Sequence, residues 1–144
     1  MTATFRNNIN FGNLANLSVE EVEVGFFRNQ KYPDGTPVPA VAGVNEFGSG
    51  DGDIPERPFM RNAVSKARDD VLEAIAEGIR RSGDASVDRN TAERAGDVLV
   101  DAMRDSIDNL RNPANAPDTL KTKRGNNPLV DTGKLRDSVE KRLR

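Results

Sequence analysis

The sequence predicts an α+β fold: a small antiparallel sheet packed against two long amphipathic helices, with long loops and a flexible N-terminal arm. Three observations lead to this class. One stretch of apolar and polar residues in period-2 alternation ends at Phe26. Two stretches of helical periodicity follow it, beginning near residues 58 and 90. The segments between these stretches are rich in Gly and Pro, which is typical of loops.

The chain of 144 residues has the size of a single domain. Its first 18 residues are rich in Asn and carry few apolar anchors, so they are predicted to form a loosely ordered arm, with residues 19–144 forming the domain. Val22, Val24 and Phe26 alternate with polar or small residues, which predicts a half-buried strand.

Residues 28–58 are predicted to be mostly loop, because ten of these 31 residues are Gly or Pro. Tyr-Pro-Asp-Gly at residues 32–35 suits a type I turn. Residues 39–47 are expected to form a short helix that ends at Gly48. Residues 46–56 carry four acids and no base, and they include a Gly-rich acidic loop.

The two long helices show the clearest patterns. The first is expected to begin near Pro58 and end at Gly83, a length of roughly 37 Å at 1.5 Å per residue. The second is predicted to start at the capping-box spacing of residues 90–93 and to end at residues 112–113. Their apolar stripes are Met60, Ala63, Val64, Ala67, Val71, Ile75 and Ile79, and Ala95, Leu99, Ala102, Met103, Ser106, Ile107 and Leu110.

Composition excludes many kinds of enzyme. The chain has no Cys and no His, which removes thiol nucleophiles, disulfides, zinc sites with Cys or His ligands, and imidazole bases. No cofactor is expected. No stretch has the length of a membrane span or the pattern of a signal peptide, so a protein made in the cytoplasm is expected. A net charge of −2 argues against a dedicated nucleic-acid binder.

Two motifs suggest chemistry that their surroundings do not support. Leu-Val-Asp-Thr-Gly at residues 129–133 has the form of an aspartic-protease signature, but too little chain follows it to build such a site. We expect Asp131 or Thr132 to cap the next turn instead, with Gly133 allowing a tight backbone. Asp-Gly-Asp at residues 51–53 lacks the later ligands of a calcium loop, so no metal site is predicted.

The C-terminal 30 residues carry more Lys and Arg than Asp and Glu. They end with Leu135, Val139 and Leu143 at a spacing that fits either a short helix or an edge strand. This basic segment could contact nucleic acid, although it has no aromatic residue to stack on bases. It could equally pair with the acidic loop of a neighbouring copy, as the register of a head-to-tail ring requires.

Two ordered segments resemble the tail-component proteins of tailed bacteriophages, also called virion-morphogenesis or tail-completion proteins. The first contains Val-Gly-Phe at 24–26, Glu-Phe-Gly at 46–48 and Ile-Pro-Glu-Arg-Pro-Phe at 54–59. The second contains Pro-Leu-Val-Asp-Thr-Gly-Lys-Leu at 128–135, followed by Ser138. Lys134 stands where Arg is common in the family.

The resemblance implies a structural virion protein and not an enzyme. It implies a homo-oligomeric ring, most simply a hexamer, at the neck between the head connector or adaptor and the tail tube or sheath. DNA would pass through its channel, no membrane would be involved, and assembly would take place in the host cytoplasm. The alternative kept open is a small nucleic-acid-binding protein that uses the basic C-terminal segment.

The loops at residues 28–58 and 117–133 are expected to contact the next protomer and neighbouring rings. Asp51, Asp53 and Glu56 are expected to line the DNA channel or to pair with a neighbour's basic C-terminus, while Arg57, Pro58 and a buried Phe59 fix the junction between loop and helix. The residues predicted to lie at interfaces are Tyr32, Glu46, Phe47, Asp51, Asp53, Glu56, Arg57, Lys123, Arg124, Asp131, Lys134 and Arg136.

Overall fold

The computed structural model describes residues 2–5 (backbone only), 20–83, 86–114, 129 and 132–144. Over these residues an antiparallel sheet packs against one long helix, which in turn packs against a second long helix, and this confirms the predicted α+β class. The strands are β1 (Thr2–Phe5), β2 (Val22–Gly25) and β3 (Glu140–Leu143). The helices are α1 (Val38–Phe47), α2 (Phe59–Ser82), α3 (Arg89–Asn109) and α4 (Lys134–Asp137).

The strand β2 is the centre of the three-stranded sheet. Val24 lies opposite Ala3 of β1 on one side and opposite Lys141 of β3 on the other. The four residues of β1 fall in the segment predicted to be an arm, so that prediction is wrong for them. An edge strand is held by backbone hydrogen bonds, which the poor apolar content of this segment does not reveal. Residues 1 and 6–18 of the predicted arm lie outside the described residues.

The helices α1 and α2 lie close to the predicted positions. The first begins one residue early, and Gly48 ends it with a φ of 76°. The second begins just after Pro58 and ends at Gly83, whose N–H donates to the carbonyl of Ile79 at 3.1 Å in a left-handed cap. No helix in the described part of the chain has both the length and the apolar character needed to cross a membrane.

The start of α3 differs from the prediction. The cap is Asp88 and not Asn90, because the Asp88 carboxylate accepts the N–H of Thr91 at 2.8 Å. Asp88 and Asn90 are both residue types that cap helices, and the structure uses Asp88, whose backbone is extended as a cap requires. Within α3, Gly96 allows the sheet to approach closely, since a Cβ there would lie 2.8 Å from a methyl group of Val22.

The spacing of Leu135, Val139 and Leu143 fits either a short helix or an edge strand, and the structure contains one of each. The one-turn helix α4 follows Gly133, which takes a φ of 78°, and β3 comes next. Thr132 Oγ1 accepts a long hydrogen bond of 3.4 Å from the Lys134 N–H, while Asp131 lies outside the described residues.

The hydrophobic core lies between these elements. Its most deeply buried apolar residues are Val24, Phe26, Val38, Ala42, Phe59, Met103, Ile107 and Val139.

The contact between α2 and α3 depends on Gly78. A Cβ at Gly78 would lie 2.1 Å from Oγ1 and 2.7 Å from Cβ of the buried Thr91. We expect Gly78→Ala to lower the free energy of unfolding by about 1–3 kcal/mol through overpacking, measured by urea denaturation. Gly43→Ala is the matched control: Gly43 faces open space in α1, so this change should stabilise the fold by about 0.5–1 kcal/mol. Equal effects of the two changes would contradict this packing.

Candidate interaction surfaces

The junction between α1 and α2 is built around Glu46. Its side chain is 1% exposed, although the sequence marked it as an interface residue. The carboxylate accepts the N–H of Met60 at 2.8 Å and the N–H of Arg61 at 3.1 Å, and it pairs with Arg61 Nε at 2.9 Å. A carboxylate from α1 therefore caps the N-terminus of α2, where negative charge is favourable. Glu46 is an internal residue, and its predicted contact with another chain is wrong.

Arg57 joins this junction to the end of α3. It is 5% exposed, so it too offers almost no surface to a partner. Its guanidinium donates to Asn45 Oδ1 at 3.2 Å, to the carbonyl of Pro113 at 3.1 Å and to that of Ala114 at 3.2 Å. Burial lowers the pKa of Arg57. As predicted, Arg57 fixes the junction between loop and helix, with Phe59 fully buried beside it.

One apolar patch stands on the surface of this junction. We give this name to three exposed apolar side chains: Val44 and Phe47, three residues apart on α1, and Ile54, whose carbonyl accepts the N–H of Ser49 just beyond α1 at 2.9 Å. Phe47 is 61% exposed, and Arg61 stacks over its ring at 5.3 Å from the ring centre. An aromatic ring fixed on a rigid helix end and left in water is typical of a contact surface. The predicted contact role of Phe47 stays a prediction.

The acidic loop adjoins the apolar patch, and its shape is fixed by its own hydrogen bonds. Asp51 accepts from the hydroxyl of Ser49 and, at 3.1 Å, from the N–H of Asp53, while Ser49 Oγ accepts from the Ile54 N–H at 2.8 Å. Asp51 and Asp53 are exposed, whereas Glu56 pairs with Arg61. Among the described residues, no group of three or more acidic side chains is placed to hold a metal ion.

The Asp51 carboxylate provides a pH-dependent test of the loop. The hydrogen bond from Ser49, followed by that from the Asp53 N–H, holds the pKa of Asp51 below its ordinary value. Its support of the loop is therefore present at neutral pH and is lost as the pH falls through this lowered pKa. We expect Ser49→Ala to move the pKa of Asp51 back up, measured by carboxyl NMR titration. An unchanged pKa would contradict the role of Ser49.

Most described basic side chains near the C-terminus pair within the chain. Arg136 pairs with Asp108 at 2.7 Å, which raises the pKa of Arg136. Lys141 pairs with Asp97 at 2.6 Å. Lys134 lies half-buried at the start of α4. The candidates Lys123, Arg124 and Asp131 lie outside the described residues. The predicted supply of unpaired positive charge is therefore smaller than the composition suggests.

Tyr32 lies apart from this junction. It is half-buried against the core, and its carbonyl accepts the N–H of Gly35 at 2.9 Å, which closes the predicted turn. The turn is fastened to α1, because the Val38 N–H donates to the carbonyl of Gln30 at 3.0 Å. The buried side chain of Gln30 in turn donates to the carbonyl of Ser138 at 2.7 Å. Tyr32 thus belongs to a braced turn at the start of α1.

An arginine-lined groove lies beside β2 and β3, and the sequence reasoning missed it. This groove, of about 690 Å³, is lined by Glu23, Phe26, Phe27, Arg28, Asn29, Arg142 and Arg144. Arg142 stacks over Phe27 at 3.6 Å from the ring centre and donates to Asn29 Oδ1 at 2.7 Å. Arg144 pairs with Glu23 at 3.1 Å. The groove combines residues more than 100 positions apart, so only the strand pairing of β2 with β3 reveals it.

The sequence-predicted interface residues therefore fall into separate groups. Phe47, Asp51, Asp53 and Glu56 lie on or beside one surface, with Glu46 and Arg57 buried beneath it. Tyr32, Lys134 and Arg136 lie elsewhere.

The chain matches none of the protein-family models, none of the curated proteins and none of the solved structures with which it was compared.

Proposed function

We propose that this protein is a structural component of a tailed-phage virion. It would form a homo-oligomeric ring at the neck that joins the head connector to the tail. The observation that carries the proposal is the apolar patch of Val44, Phe47 and Ile54, presented beside the acidic loop by a rigidly braced junction. A surface held this firmly, with an exposed aromatic ring at its centre, is suited to gripping another protein.

The residues of the two phage-like segments support this proposal because they build the scaffold. In the first segment, Glu46 caps α2 and Arg57 anchors the chain after α3. In the second, Leu129, Leu135 and Ser138 are buried. Because these residues have roles in the fold, their presence does not require the protein to catalyse a reaction. The proposed mechanism is binding.

The proposed ring has as its neighbours the connector or adaptor on one side and the tail tube or sheath on the other, with DNA passing through the channel. Asp51 and Asp53 suit either of two positions. On the channel wall, their negative charge would keep DNA from adhering. At a protomer boundary, they would pair with basic residues of the next copy.

Electron microscopy tests the proposed function. Images of the purified chain are expected to show rings with a single rotational symmetry, six-fold in the simplest case. Labelled antibody should place the protein at the neck of virions that contain it. A chain that stays monomeric at its highest soluble concentration, or label found away from the neck, would contradict the proposal.

The alternative is a nucleic-acid-binding protein, favoured by the three arginines that line one groove beside Phe27. Against it, Arg142 and Arg144 each lie within 4 Å of a carboxylate of the same chain, at Glu140 and Glu23. A gel-shift titration separates the two functions. A nucleic-acid binder loses affinity steeply as salt rises, because binding releases counterions. We expect almost no shift at any salt concentration.

A further inference from the structure

Two surfaces of this chain have complementary character. The first, which we name the knob, consists of Phe47 and Asp53 at the end of α1 and in the acidic loop. The second is the arginine-lined groove. The knob has an exposed aromatic ring, and the Asp53 carboxylate accepts no hydrogen bond from any described residue. Residues 48–54 contain two acids and no base, so the knob is negative as well as apolar.

The groove offers what the knob lacks. Its lining includes three arginines and one glutamate, so its net charge is positive. Arg28 is exposed and has no hydrogen bond or ion pair within the described part of the chain. Arg142 shows that a guanidinium in this groove stacks on an aromatic ring, and Arg61 does the same with Phe47 itself. The guanidinium of Arg28 has the chemistry to pair with a carboxylate of another chain.

The knob and the groove of one chain are held apart by α1. The start of this helix is fastened to the groove side, through the bond from the Val38 N–H to the Gln30 carbonyl. Phe47 is its last residue, and ten helical residues span about 15 Å. The braced junction beyond α1 keeps the knob from folding back. This arrangement favours their contact between copies.

We propose that the knob of one copy enters the arginine-lined groove of the next, with Phe47 against Arg142, whose guanidinium covers the buried Phe27, and Asp53 paired with Arg28. Such a contact is head-to-tail, because each copy contributes a different surface, and repetition of it closes a ring or extends a filament. This inference rests on the proposed function, since it names the contact between protomers of the ring.

Two variants test the contact. Phe47→Ser with Asp53→Ser removes the knob, and Arg28→Glu blocks the groove; all three side chains are exposed, so circular dichroism and melting temperature should match the wild type. Each variant alone is expected to self-associate at least about tenfold more weakly than the wild type, measured by light scattering after gel filtration. Mixed together, the two should form a one-to-one complex and stop there, because only one intact knob and one intact groove meet.

A matched control removes the same chemistry elsewhere. Leu72→Ser with Asp69→Ser deletes an exposed apolar and an exposed acidic side chain on α2, and it should assemble like the wild type. If the knob and groove variants assemble as strongly as the wild type, this contact is wrong, but the proposed ring is not contradicted. A wild-type chain that never assembles overturns the proposed function as well. Loss of salt-sensitive DNA binding in Arg28→Glu, with assembly unchanged, would assign the groove to nucleic acid and also overturn the inference.

Discussion

Replacing Glu46 with alanine is expected to lower the free energy of unfolding by about 2–3 kcal/mol. The change removes the acceptor for two N–H groups at the start of α2, and that of Met60 is buried. The Arg61 side chain is half-exposed, so water solvates its guanidinium when Glu46 is removed. The lost ion pair therefore contributes little to the loss of stability. Urea denaturation followed by circular dichroism measures the effect. Glu46→Gln keeps one carbonyl oxygen and should lose less.

The matched control for Glu46 is Glu56. It pairs with the same arginine, but its side chain is half-exposed and caps no helix. Glu56→Ala should therefore change the stability by no more than about 0.5 kcal/mol. If both alanine variants lost the same small amount, Glu46 would be an ordinary surface ion-pair partner and the account of the junction would be wrong.

Phe59→Ala is expected to have the largest effect, a loss of about 3–5 kcal/mol. Phe59 is fully buried and its ring meets that of Phe26 edge-to-face, with 6.0 Å between the ring centres. Its carbonyl also accepts the hydroxyl of Ser106 at 2.8 Å, which ties the start of α2 to α3. Truncation leaves a cavity where sheet and helices meet. The shift of the urea midpoint measures the loss.

Phe47→Ala is the control for Phe59, because the same ring is removed from a position that is 61% exposed. Its stability should stay within about 0.5 kcal/mol of the wild type. Phe47 should instead affect assembly, and Phe59 should affect folding. A large loss of stability in Phe47→Ala would mean that this ring belongs to the core and not to an interaction surface.

Periodicity was sufficient to predict α2 and α3, although α3 is capped by Asp88 and ends at Asn109, before the predicted stop at residues 112–113. The Pro and Gly residues at the ends of α1 predicted that helix. Periodicity could not predict Glu46 as a cap, because the N–H groups that it accepts lie 14 and 15 residues further along the chain. A charged residue just before a Gly-rich loop indicates surface exposure unless the fold places a helix terminus beside it.

The sheet was harder to predict for a similar reason. The alternation of Val22 and Val24 identified β2, but β1 and β3 are edge strands whose pairing is made by the backbone. The arginine-lined groove follows from that pairing, because Arg142 reaches Phe27 only when β3 lies beside β2. The tail was described correctly as basic, but its charges could not be assigned to internal partners before Asp97 and Asp108 were placed in space.

Sedimentation velocity of the wild-type chain over a range of concentrations tests the central claim, that these surfaces serve to bind copies of the same protein. We predict one large species of fixed stoichiometry that grows at the expense of the monomer as concentration rises. A single monomeric boundary at every concentration would contradict it.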